Sequence, residues 1–482
     1  MPTSAPSATH PSPHIPAPVT ESSGDRRRPA ARRDPWLLAV VLFVAYAIVS
    51  VGRYRHMASR SWDLGIFEQV IRAYAHFQTP VADLKGPGFN ILGDHFSPVT
   101  ALLAPLYRVF PSPVTLLLAQ AALFALSAVP VTRAAARLLG RHRGLALGIA
   151  YGLSWGLQRA VDFDFHEICF ALPLIAFALE AILAERWRAA LLWALPLVLV
   201  KEDLGATAAA IAAVVAWRTR HTRRSSQRTF WYALGVAVFG VLATAITLTV
   251  VIPAFNSTGA YDYWNKVSGT GGGPFDGIDT KLRTLAWLLI PTTGLLALRS
   301  PLLLVAVPTL GWRFVSSDPH YWGTDWHYSA VLMPVVMLAL ADALARTSNS
   351  QRPWLRSYTV HLPAAVLAAA LALTTSLPLA QLAESSDIYR KPAPVKAVEG
   401  LLARIPDGAT VESDIGAINR LTSRCRVFWI TNTQGINPQF IALNNVGGNY
   451  GDPVGYAHQL HPNAKYTIMG ETNGYVVLQR QN

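Results

Sequence analysis

Cysteine is nearly missing from this chain: Cys169 and Cys425 are the only two in 482 residues. That excludes a disulfide framework and a cysteine zinc cluster. Charge is scarce as well, at 14% of residues against roughly 25% in soluble domains. With 52% hydrophobic residues and a mean hydropathy of +0.29, the shortage excludes an ordinary soluble protein and points to a polytopic membrane protein. No internal repeat is evident, which removes the usual basis for an inverted-repeat transporter. The net charge of +13 comes from short basic runs without interleaved aromatics, so no nucleic-acid partner is expected. Basic residues gathered in short loops are what cytoplasmic loops carry.

Residues 1–35 are rich in Pro, Ser and Ala and end in RRRPAARR, and they read as a disordered cytoplasmic tail. The apolar run that follows is too long for the core of a cleavable signal. It reads as a first span, Trp36–Gly52, with the preceding arginines holding the N-terminus in the cytoplasm. A polar loop, residues 53–98, then starts on the outer face. Within it Leu64, Phe67, Val70, Ile71 and Tyr74 recur at helical spacing, which predicts an amphipathic helix from Asp63 lying in the interface plane. Alternating apolar and basic segments give about eleven spans up to residue 379. Residues 380–482 lack a spanning run and alternate short β-like stretches with turns. The expected fold is therefore an all-α polytopic plasma-membrane protein with an extracytoplasmic C-terminus carrying a small α/β domain.

This topology puts the residues with catalytic potential on one face. The outer loops hold Asp63, Glu68, Asp94, His95, His166, Lys201, Glu202 and Asp203, with His327 and Tyr328 entering a later span. A positive-inside bias explains scattered acids, but not acids grouped with His and Trp at span ends, where ionisable groups are costly unless satisfied. Structural readings compete at each position. Asp63 is a good N-cap, Asp94-His95 could form a turn, and Lys201 could simply pair with Glu202 or Asp203. Asp162 and Asp164 alternate across Phe163 and would share one face of an extended segment, an arrangement suited to a divalent metal such as Mg or Mn. The Gly- and Tyr-rich loop 253–281 is long enough to act as a lid.

The motifs Asp63-Leu64-Gly65-Ile66-Phe67-Glu68-Gln69, Gly93-Asp94-His95-Phe96-Ser97-Pro98, Phe165-His166-Glu167, Lys201-Glu202-Asp203 and His327-Tyr328-Ser329-Ala330 together resemble a bacterial and archaeal family of polytopic membrane proteins of unknown function. That family in turn resembles the GT-C class of integral-membrane glycosyltransferases. The resemblance implies a sugar donor on polyprenyl phosphate, an extracytoplasmic acceptor, and Asp63 as the catalytic base. The first loop departs from the GT-C pattern in lacking a doubled acid, since Leu64 follows Asp63. On this reading Glu68, Asp94, His95, His166, Glu202 and Asp203 complete the catalytic site. Arg53, Arg55, Arg60, Lys201, His327 and Tyr328 hold substrate or phosphate. A transporter or flippase, and a non-enzymatic envelope assembly protein, are the competing classes.

Overall fold

The computed structural model describes residues 29–220, 224–264, 266, 275–384 and 388–481. Most of the expected N-terminal tail lies outside these residues, as do positions 265 and 267–274 of the expected lid. Helix α1 spans Pro29–Arg55, so the first helix opens ahead of Trp36. Among the described residues, five helical stretches are long and apolar enough to cross a membrane: Arg33–Arg55, Pro113–Leu139, Gln227–Phe255, His327–Thr347 and Pro353–Thr374. Trp187–Leu199, Leu204–Thr219 and Pro301–Val315 are apolar but shorter. The expected eleven crossings are therefore not reproduced by length and composition. Proline accounts for part of the difference. Pro196 and Pro301 stand at the starts of 3-10 turns, where the missing N–H would have no partner in any case. Small residues bring helices close elsewhere: a Cβ on Gly205 would collide with the carbonyl of Gly240 on the facing helix, a close approach that favours packing in lipid.

Helix α2, Asp63–Ala75, forms where the spacing predicts it. Both of its faces are buried. Leu64, Phe67, Ile71 and Ala75 pack into the core of the helical bundle, while Ile66 and Val70 pack into the core of the C-terminal domain. At about 100° per residue these two sets point to opposite sides. One helix thus belongs to two cores, and Gly65 permits the contact, since a Cβ there would strike Ile418.

The C-terminal domain is built on a five-stranded sheet: β1 Thr410–Ser413, β2 Arg426–Trp429, β3 Phe440–Asn444, β4 Tyr466–Thr472 and β5 Tyr475–Arg480. The strand order is β2-β1-β3-β5-β4. β1 pairs in parallel with β2 and β3, whereas β5 runs antiparallel to β3 and β4. The domain is fastened to the first loop by polar contacts as well. Arg426 binds Asp83 through two contacts of 2.8 and 2.9 Å. Gln69 Nε2 donates to the Val427 carbonyl at 2.8 Å, and Arg72 donates to the carbonyls of Thr422 and Cys425, both at 3.0 Å.

Candidate functional site

The start of α2 faces a cavity of about 410 Å³ lined by Asp63, Lys85, His95, His166, Lys201, Glu202, Asp203, Lys266, His327 and Tyr328. Most of the residues singled out in sequence meet here, although they come from segments up to 265 positions apart. Asp63 is the first helical residue of α2. Its backbone N–H donates to Ser61 Oγ at 3.0 Å, and the Ser61 hydroxyl donates to its carboxylate at 2.7 Å. Asp63 therefore joins the helix start without serving as its cap residue.

Two histidines reach the cavity in matching ways. His95 Nδ1 lies 2.7 Å from Asp94 Oδ2, which also binds Lys85 Nζ at 3.0 Å. His166 Nδ1 lies 2.5 Å from Glu167 Oε2, and Glu167 Oε1 binds Lys201 Nζ at 3.0 Å. Each is a Lys–carboxylate–His chain that fixes one ring nitrogen and leaves the other for the cavity. The His327 ring stacks on His166 with centroids 3.8 Å apart. Phe67 of α2 sets its ring against His95 and His166, so α2 orients both rings.

These contacts set the charges. Burial pushes the Asp94 carboxyl up, but the charges and hydrogen bonds of His95 and Lys85 outweigh it and hold Asp94 well below the ordinary range. Burial likewise lowers His95, and Asp94 more than offsets that, so His95 is raised overall. Glu167 is held well below its usual value, because His166 and Lys201 overcome its desolvation. Lys201 is raised despite burial by Glu167, Glu202 and Asp203. Desolvation pushes Asp203 up to about 7, with Lys201 opposing and Glu202 adding. Glu202 Oε2 and Asp203 Oδ1 are buried without a hydrogen-bond partner among the described residues. Two carboxylates beside one lysine leave a site poised to exchange a proton near neutrality.

The segment before His166 is held by an amide that sequence reasoning passed over. Gln120 Nε2 donates to the Asp164 carbonyl at 2.5 Å, and Gln120 Oε1 accepts from the His166 N–H at 2.9 Å. Asp164 takes φ +80°, an uncommon conformation for a side chain with Cβ. The signal was available: a lone amide inside an apolar span is costly unless it has work to do. Lys85, Lys266, Tyr261, Tyr263 and Tyr321 were also missed. They sit in polar loops, where Lys and Tyr are ordinary. Lys266 lies over the Tyr263 and Tyr321 rings at 4.8 and 5.1 Å, giving the cavity an aromatic, cationic wall.

Several expected members lie elsewhere. Arg53 and Arg60 bind Asp162 at 2.8 and 2.9 Å and line a separate groove, while Arg55 is exposed. Asp162 and Asp164 do not fit a divalent ion. Both Asp162 oxygens are taken by guanidinium groups, and desolvation pushes the Asp164 carboxyl up to about 7, with Arg53 opposing. No group of three His, Cys, Asp or Glu suited to a metal occurs among the described residues.

Glu68 is not at the cavity. It is fully buried between α2 and the C-terminal domain, accepting from Tyr107 at 2.9 Å and from the Thr422 hydroxyl. Desolvation raises it to about 7, against the opposing hydrogen bonds of Thr422 and Tyr107. A carboxyl raised on folding binds its proton more tightly in the folded state, so stability falls as pH rises from the ordinary glutamate value to about 7. Between pH 5 and pH 8, the stability of the natural protein relative to Glu68→Gln is expected to fall by about 2–3 kcal/mol. Denaturation of both proteins in one detergent measures it, and a pH-independent difference would refute it.

Residues 53–477 match the model of DUF2079, described as a predicted membrane protein. The chain belongs to this family. No curated protein matches it. Among solved structures, ArnT from Cupriavidus metallidurans bound to undecaprenyl phosphate aligns with a TM-score of 0.54 at 13% identity, covering 91% of this chain and 97% of ArnT. Its apo form aligns with a TM-score of 0.55 at 14% identity, with the same coverage. At such identity the likeness shows the fold, and at that level the GT-C-like resemblance holds. This DUF2079 protein is thus a multi-pass membrane protein of ArnT-like fold.

Proposed function

We propose that the cavity transfers a sugar from a polyprenyl-phosphate donor to an acceptor hydroxyl on the extracytoplasmic face. The observation that carries this reading is the convergence of Asp63, both Lys–carboxylate–His chains and an aromatic wall on one cavity. Its volume of about 410 Å³ is in the range of small-molecule sites. Tyr and Trp faces suit the C–H faces of a sugar. Asp63 takes the proton of the acceptor hydroxyl, whose oxygen attacks the anomeric carbon. The bond from that carbon to the phosphate oxygen breaks, and the polyprenyl phosphate leaves with the electron pair. Lys201 and the raised His95 offset its charge. Positive charge in this scheme comes from side chains, and no step passes through a metal.

The test is transfer by purified full-length protein from a panel of labelled polyprenyl-phosphate sugars to total envelope lipid and glycan. A labelled product that requires the protein supports the proposal. Solute flux in proteoliposomes with no transfer from any donor would overturn it in favour of a transporter.

A further inference from the structure

A second depression, of about 520 Å³, is lined in part by Arg159 and Asp162. One wall is basic: Arg53, Arg60 and Arg159, with His56 near them. Leu377, Pro378, Ala380 and Ile388 also line it, interspersed with Thr375, Ser376 and Gln381. Gly52 and Arg53 lie in the last turn of α1, and Thr375 follows the helix Pro353–Thr374, so two spanning helices finish at the level of this groove. Below it both helices present exposed apolar side chains, Val40, Val41 and Val44 on one and Val360 and Leu371 on the other. Such strips face acyl chains, which puts the groove at headgroup depth.

The arginines are only partly satisfied. Asp162 binds Arg53 and Arg60 and Arg53 also donates to the Ala58 carbonyl at 2.6 Å, but the Arg60 side chain remains 39% exposed. Arg159 is 27% exposed and reaches only Asp325, at 3.8 Å, a carboxylate that is itself 73% exposed. Glu384 lines the groove and is exposed. The exposed Arg60 and Arg159 guanidinium groups beside Leu377, Pro378 and Ile388 match a phosphate attached to an acyl-bearing glycerol, since Arg binds phosphate oxygens in a planar, two-pronged geometry.

We propose that this groove binds the phosphate of a membrane phospholipid, as a site separate from the cavity and independent of whether the cavity transfers sugar. The phosphate is the shared chemistry of a lipid headgroup and of free inorganic phosphate, and the experiment separates them. Full-length protein in detergent is incubated with a photoreactive phosphatidylglycerol, or with a photoreactive diacylglycerol that lacks phosphate, and the labelled peptides are mapped. Phosphatidylglycerol should label the peptides containing Arg53–Arg60 and Leu377–Glu384. Labelling should fall about tenfold in Arg60→Gln/Arg159→Gln, the loss expected from two charge-assisted contacts, and should persist in Arg55→Gln. Arg53 keeps Asp162 paired in the double variant, and Arg159→Gln alone removes only the 3.8 Å contact. Equal labelling by diacylglycerol, or labelling unchanged in both Arg159 variants, would overturn the proposal. Full protection by excess inorganic phosphate would show a site for the free anion and overturn the lipid assignment.

Discussion

Asp63→Asn will lower sugar transfer by about 10²–10⁴-fold, the usual weight of a positioned acid–base group, while leaving the fold nearly as stable. The two effects separate because the amide keeps what the carboxylate does for the helix. Asn retains an oxygen to accept from the Ser61 hydroxyl, and the backbone N–H bond to Ser61 Oγ is untouched. What is lost structurally is a negative charge in the first turn of α2, which contributes about 0.3–1 kcal/mol. An amide cannot take a proton from the acceptor. The fall should therefore appear in kcat with KM little changed, and the limb of the pH profile that reports the base should disappear. Undiminished transfer would remove Asp63 from the reaction. In that case the two cavity-facing histidines, each fixed through Nδ1, would be the next bases to test.

How far the sequence was legible follows from what each signal depends on. Lys201-Glu202-Asp203 and His166-Glu167 stood out because ionisable groups between apolar runs carry a desolvation cost that something must offset. That argument needs no knowledge of neighbours; His166, Lys201, Glu202 and Asp203 line the cavity, and Glu167 sits behind the His166 ring. Glu68 was misplaced for a reason the sequence already contained. It lies five residues after Asp63 on one helix, about 140° around the axis, so the two cannot share a face. The arginines could not be placed in advance, because their partner Asp162 comes about a hundred residues later and only folding brings it to α1. The C-terminal strands announced themselves as short β-like stretches separated by turns, as at Val427–Ile430 and Tyr475–Leu478. Their docking on Ile66 and Val70 did not, because an apolar stripe does not name what covers it. The acid missing beside Asp63 in sequence is offset in space. The Asp63 charge is among those that raise Asp164, and Asp164 accepts from the Arg60 N–H at 3.3 Å, three residues before Asp63.

Lys201→Met is expected to do two kinds of damage, and a second substitution separates them. The lysine is only 14% exposed and binds Glu167, which is fully buried. Removing one partner of such a pair leaves a charge without compensation and costs about 3–5 kcal/mol. His166 remains beside Glu167 at 2.5 Å, so the loss should fall toward the lower end. Transfer should drop by about 10²–10³-fold, as when one group facing a developing negative charge is removed. Asp203 should then hold its proton more tightly still, since Lys201 is the charge that opposes its upward shift. In Lys201→Met/Glu167→Gln the stranded carboxylate is gone, and most of the stability should return. Transfer should not, because the Lys201 charge that offsets the leaving phosphate is still missing. Denaturation and transfer assays on the single and double variants measure both terms. If transfer recovers along with stability, Lys201 serves only to neutralise Glu167. The leaving phosphate would then have to rely on His95, Lys85 and Lys266, the other cationic groups on the same cavity.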